Sequence, residues 1–167
     1  MSVTYPIRLV GDPVLRQRAL EVGEVNEALV RLAEAMIETM YEAPGVGLAA
    51  PQVGVEKRMF VYDIGDGPGT VLNPVIVESS GEWTYNEGCL SIPGMSWPLV
   101  RPKQVHLAGV GLDGKAVDVD ADELLARCFL HEVDHLDGVL VVDRLDADQR
   151  KEAMRVLRRR ELAAEGL

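Results

Sequence analysis

The chain predicts an α+β fold: mainly antiparallel sheets around a central buried helix that carries His-Glu-x-x-His, with a further helix at the C-terminal end. Three observations lead there. Strand-like runs cluster between residues 58 and 119 while helical patterns lie to either side, and segregation without regular strand–helix alternation belongs to α+β architectures. Asp113-Gly114 between two apolar runs is a strong short-range sign of a hairpin, which pairs its strands antiparallel. Residues 121–137 are apolar on nearly every face, as a helix enclosed by other elements must be.

The elements follow in order. Asn26 caps a helix over 27–42, with Leu29, Leu32, Ala33, Met36 and Met40 on one face at helical spacing. Pro44 and Gly45 end it and open a stretch, 45–54, too rich in glycine for an interior strand and close-approached by something. It lacks the Lys and Ser/Thr of a phosphate loop and the preceding strand of a dinucleotide site. Arg58 to Ile64 and Val71 to Val77 read as strands, with Trp83 to Glu87 a candidate third. Val105 to Leu112 and Lys115 to Val119 flank the Asp113-Gly114 turn. Asp120 with Glu123 resembles a capping box for the central helix, and Gly138 suits the left-handed residue beyond its end. Asp146 to Leu162 reads as a charged helix with six basic residues between 150 and 160.

At 167 residues, 47% hydrophobic and 26% charged, the chain reads as one domain, 1–167, able to bury about two-thirds of its extended surface. No apolar run nears the roughly 18 residues of a membrane span, and the first residues lack the features of a secretory signal, so a cytoplasmic location is expected. Two cysteines are too few for a disulfide framework. A net charge of −10 argues against general affinity for DNA or an anionic membrane.

The chemistry centres on the helix over 121–137. His131 and His135 are four residues apart, so their imidazoles leave one helical face about 6 Å apart along the axis and can bind one ion. Glu132 sits roughly 60° round from His135, within reach of water at such an ion, which makes it a general-base candidate. A catalytic metal site wants a third protein ligand. Cys128 lies about 10 Å of helix rise from His135, too far for a short thiol to share the ion comfortably, and a free cysteine is commonly a buried apolar residue. His106 sits in a strand, where a surface or hydrogen-bonded role suits it. Cys89, flanked by Gly88 and Pro93, lies on irregular backbone able to present a thiolate, though a buried thiol is an open alternative on spacing alone.

Three segments, GVGLAAPQVG at 45–54, EGCLS at 87–91 and HEVDHLDG at 131–138, together and in this order resemble the peptide deformylase family. The resemblance extends to Gly11–Arg16 and to the Asp113-Gly114-Lys115 hairpin. It implies an α+β hydrolase that removes the N-formyl group from N-formylmethionyl nascent peptides and releases formate. By the same resemblance Cys89, His131 and His135 ligate one divalent ion, Fe²⁺ favoured over Zn²⁺, Ni²⁺ or Co²⁺. Glu132 is then the acid/base, while Gln52 and the Leu90 N–H form the oxyanion site. The substrate would lie extended against Val46, Gly47 and Gly88, with its methionine side chain in a pocket bounded by Val46, Glu87, Leu124 and Cys128. Members dock on the ribosome by the terminal helix, which assigns that role to the basic residues of 150–160. Three departures bear on contacts around the ligands and the substrate: Leu130 stands where the family usually has Gln, 94–98 lacks an Arg often found there, and Arg127 replaces a more usual apolar residue. A zinc endopeptidase, which shares His-Glu-x-x-His, is the competing enzyme reading, and Cys89 speaks against it. A metal- or peptide-binding module without catalysis is the reading from another class.

Overall fold

The computed structural model describes residues 3–166. Helix α1 (Glu27–Glu42) begins as expected at Asn26, whose side chain accepts the Leu29 N–H at 2.9 Å. Its buried face, Leu29, Ala33, Met36 and Met40, packs against Leu48, Met59 and Val61 of the strands that follow. The glycine-rich stretch supplies a short strand, β1 (Gly47–Ala49), and then a 3-10 turn at Ala50–Val53. Strand β1 lies at the margin of its sheet, where glycine is tolerated.

Strands β2 (Met59–Tyr62), β3 (Gly69–Ser80), β6 (Gln104–Val110) and β7 (Ala116–Asp122) complete an antiparallel sheet in the order β1-β2-β3-β6-β7. Strand β3 runs past the expected 71–77 because a bulge at Asn73, with φ of 49°, lets pairing continue on both sides. The Asp113-Gly114 hairpin forms, closed by the Gly111 N–H on the Lys115 carbonyl at 2.9 Å.

A second sheet has two strands, β4 (Trp83–Cys89) and β5 (Ile92–Arg101). Strand β5 was not among the expected strands, because Pro93, Gly94 and Pro98 read as irregular backbone. In a two-stranded ribbon one side of each strand makes no ladder bond, so a proline costs nothing there. Alternate residues Trp97, Leu99 and Arg101 turn inward.

Helix α2 (Glu123–Leu136) starts later than 121 and without the expected capping box. Strand β7 pairs with β6 through Asp122, so Asp120 is still extended and its carboxylate takes His106 Nδ1 at 2.6 Å instead. At the other end Gly138 has φ of 75°, and a Cβ there would fall 2.5 Å from the Arg16 carbonyl oxygen. Buried Arg58 donates to the Leu136 carbonyl at 2.9 Å, satisfying a terminal acceptor of the helix. The inner face of α2 buries Ala126, Phe129 and Leu136 against the large sheet. Phe129 meets Tyr62 edge-on at 5.1 Å and Phe60 at 5.7 Å, contacts worth about 0.5–1.5 kcal/mol each beyond burial.

Helix α3 (Ala147–Ala164) is capped by Asp146, which accepts the Gln149 N–H at 2.8 Å. Ala153, with Met154 and Leu157, packs on Ile92, Trp97 and Leu99 of the ribbon and on Val141 and Val142. No described helix is long and apolar enough to cross a membrane.

Candidate metal and active site

Two elements meet at the site. The ribbon makes a tight turn at Leu90-Ser91, with Cys89 opposite Ile92 and a register shift between Gly88 and Cys89. A bulge re-aims the side chain that follows it, which turns Cys89 toward α2. From α2 come His131 and His135, one helical turn apart, with ring centres 4.9 Å from each other.

Their donor atoms converge. His135 Nε2 lies 3.3 Å from Cys89 Sγ and 3.1 Å from His131 Nε2. Among the described residues, Cys89, His131 and His135 are the group of three whose ligand atoms all lie within 4.8 Å of one another. Cys128 is not in it: its Sγ faces the Val46 carbonyl at 3.6 Å. Nor is His106, whose ring bonds Asp118 and Asp120 on the far part of the large sheet.

The donor set fits a cation. His131 Nδ1 meets Glu87 Oε2 at 2.8 Å, which keeps a proton on Nδ1 and would leave the Nε2 lone pair for a metal once its own proton is displaced. Burial pushes the Cys89 thiol up, but the neighbouring His135 and His131 rings pull it well below its ordinary value, which favours the thiolate form that ligates metals. Burial lowers the His131 pKa, but the negative charges of Glu132 and Cys89 lift it well above the usual imidazole value. The cluster therefore calls for positive charge, which a divalent ion supplies while displacing the protons.

Glu132 is 3% exposed, and its Oε1 has no hydrogen-bond partner. Burial raises its pKa against the opposing pull of His131 and His135, so it is suited to accept and return a proton. Gly47 makes room for it: a Cβ there would fall 2.5 Å from Glu132 Oε2 and 2.8 Å from Cys128 Sγ. Gln52, buried in the 3-10 turn after β1, accepts the Ala49 N–H at 3.0 Å through Oε1. Its Nε2 donates to Ser91 Oγ at 3.0 Å and points toward Cys89 Sγ at 3.8 Å. The amide thus stands beside Leu90 at the ribbon's turn.

A cavity of about 780 Å³ opens over these groups. Val46, Gly47, Gln52, Glu87, Gly88, Cys89, Leu90, Leu124, Cys128, His131 and Glu132 all line it, while His135 lies behind them, 1% exposed. Glu87 does more than bound a side-chain pocket. It is buried, and its two oxygens take His131 Nδ1, two nitrogens of Arg101 and Arg127 Nη1. Burial pushes its carboxyl up, yet the bond and charge of His131 and the charge of Arg101 hold it down at about 2. Sequence reasoning missed this role, and with it Arg101 and Asp134, because the partners are 14 to 44 residues apart. Of the departures, Leu130 packs on the core beside Phe129, and Ser96 Oγ accepts from Asn86 Nδ2 at 2.8 Å on the rim.

Residues 4–151 match the family described as polypeptide deformylase. A peptide deformylase of Acidothermus cellulolyticus is 51% identical over 160 residues, 96% of this chain and 89% of that protein. The crystal structure of a peptide deformylase from Legionella pneumophila superposes with a TM-score of 0.90 at 39% identity, covering 97% of this chain and 98% of the other. That from Thermotoga maritima gives 0.84 at 46% identity, with 86% and 98% covered. With half of the residues shared along nearly the whole length and the same arrangement of sheets and helices, the chain belongs to the polypeptide deformylase family, metal-dependent hydrolases that remove the N-formyl group from nascent polypeptides.

Proposed function

We propose that Cys89, His131 and His135 hold one divalent ion and that Glu132, Gln52 and the Leu90 N–H deformylate N-formylmethionyl nascent peptides beside it, within one catalytic domain of residues 1–167. The observation that carries this reading is the convergence of three donors within 4.8 Å beside a buried carboxylate whose Oε1 has no partner. When bound, the ion supplies Lewis-acid polarisation and eases deprotonation of water.

The chain's own residues do the rest. Glu132 takes the proton of the attacking water as the oxygen bonds to the formyl carbon, and delivers it to the amine nitrogen as the C–N bond breaks. Formate and a free amino terminus result. Gln52 Nε2 and the Leu90 N–H donate to the oxygen on which negative charge develops; the Gln52 amide is already held by Ala49 and Ser91, so little reorganisation is needed. The peptide backbone lies between Val46-Gly47 and Gly88 as an added strand, with the methionine side chain among Val46, Glu87, Leu124 and Cys128. Cys128 is thus a contact, not a ligand.

Metal analysis of purified variants tests the assignment. Cys89→Ala, His131→Ala and His135→Ala each lose metal and turnover, since a three-ligand site cannot spare one, whereas Cys128→Ser keeps its metal. Full occupancy in Cys89→Ala would overturn the ligand set. Formate release from a formyl-methionyl peptide supports the reaction; cleavage inside an unblocked peptide would favour the endopeptidase reading.

Among Fe²⁺, Zn²⁺, Ni²⁺ and Co²⁺ we assign Fe²⁺ on the family resemblance, because a Cys/His/His set accepts all four. Activity of the iron form then decays in air or peroxide and that of the nickel or cobalt form persists. The substrate, a chain still being made, places the work in the cytoplasm. The exposed arginines of α3, Arg155, Arg158 and Arg159, would dock on ribosomal phosphates and raise local substrate concentration. Co-sedimentation with ribosomes across a salt series, full chain against one ending near Asp148, checks this; equal binding by both rejects it.

A further inference from the structure

We infer that Arg127 is a positioning residue for the metal site, fastening the β4–β5 ribbon that carries Cys89 to the helix that carries both histidines. The inference rests on Cys89, His131 and His135 being the ligands. Cys89 belongs to a sheet separate from the large one, so no backbone ladder sets its distance from α2. Side-chain contacts set it, and those nearest the ligands are polar. Arg127 Nη1 donates to Glu87 Oε1 at 3.0 Å, and Arg101 of β5 grips both oxygens of Glu87 at 3.0 and 2.7 Å. Arg101 Nη1 then reaches Asp134 of α2 at 2.8 Å. Arg127, Glu87, Arg101 and Asp134 form an arc that leaves α2, crosses both strands and returns to α2 seven residues later, about two turns on. His131 lies between the two ends and bonds Glu87 Oε2.

Arg127 holds one end of that arc. Its Nη2 also donates to the Trp83 carbonyl at 2.6 Å, and its guanidinium carbon lies 5.8 and 5.9 Å from the ring centres of stacked Trp83 and Tyr85. It therefore grips β4 at its first residue and again at Glu87, two residues before Cys89. Stability alone does not explain it. Its Nε is buried without a partner, an unfavourable arrangement, and Glu87 would retain Arg101 and His131 if Arg127 were apolar. What would be lost is the fixed register of ribbon against helix.

The test is zinc affinity measured by chelator competition at constant pH, alongside thermal unfolding of the metal-free protein, for wild type, Arg127→Met, Arg127→Lys and Cys89→Ala. Arg127→Met should bind zinc about 10–100-fold more weakly, the usual effect of losing a group that orients ligands, while the metal-free protein unfolds near the wild-type temperature. Arg127→Lys should fall between, because an ammonium reaches Glu87 but cannot span to the Trp83 carbonyl in one plane. Zinc affinity in Arg127→Met within threefold of wild type overturns the proposal. If that variant does not fold, Arg127→Lys decides, and wild-type affinity in it overturns the proposal equally. Wild-type affinity in Cys89→Ala would remove the ligand assignment and the proposal with it, whereas Cys89 dependence with an indifferent Arg127 removes the proposal alone.

Discussion

Helices α2 and α3 both carry many charged side chains and use them in opposite ways. On α2, Arg127, Glu132 and Asp134 are buried, and the arginine and aspartate meet ion-pair partners from the ribbon. On α3, among the described residues, Arg155 pairs with Glu152 of the same helix, both exposed, and the arginines at 158, 159 and 160 are exposed as well. The difference lies in the surroundings and not in the residues. A charge removed from water must be matched by defined donors and acceptors, so its geometry becomes fixed and usable for chemistry; a solvated charge keeps its freedom and is worth little to the fold.

Substitutions can break that contrast, beginning with the most severe. Glu132→Gln removes the proton carrier and leaves the ligands, so turnover of a formyl-methionyl peptide should fall about 10²–10⁴-fold with metal content and fold intact. Near-normal turnover would show that the buried carboxylate has no chemical role. Next is Arg101→Met, which leaves Asp134 and Glu87 short of a shared cation. Unlike Arg127, which meets Glu87 alone of the two, Arg101 bridges both buried acids, so its loss should cost about 3–5 kcal/mol, as for breaking a buried ion pair, and urea unfolding should register it. A loss below about 1 kcal/mol would place α2 in the same class as α3.

A smaller effect is expected where the chain leaves α2 for α3. Asp143 accepts from Arg16 and from the Leu140 N–H, and these outweigh its burial, so its carboxyl lies below the ordinary 3.8. The folded state holds its proton less tightly than the unfolded one. Its contribution to stability is therefore complete above about pH 3.8 and is lost as pH falls through the lower folded value. Asp143→Asn should lower stability modestly near neutrality and flatten the acid limb below about pH 4, so that the two stability profiles converge at low pH. The smallest effect belongs to Arg155→Ala on α3, which should leave the unfolding midpoint where it was, as expected for an exposed pair. A clear shift would mean that α3 is held by its charges and not by Ala153, Met154 and Leu157.

Helix α1 and its Asn26 cap, the Asp113-Gly114 hairpin, and the helix end at Gly138 were all legible, because each depends on a few adjacent residues. The convergence of Cys89 with the histidines was legible through the resemblance and not through spacing, which left a buried thiol as an alternative. Strand β5 was hidden by prolines that an isolated ribbon tolerates, and the capping box at Asp120 failed because pairing with β6 outlasted it. Arg127 showed only as a departure from the usual apolar residue.

By itself the sequence determined what short-range chemistry can determine: which segments are helical, where most of the extended ones lie, and that His131, Glu132 and His135 share one side of a buried helix. Only the tertiary structure decided that Glu87 orients His131, that Arg101 and Arg127 hold Glu87, and that α3 packs on the ribbon and not on the large sheet. Periodicity and capping act over a few residues, whereas a buried carboxylate takes its partners from whatever chain segments folding brings beside it, and no local pattern encodes that choice.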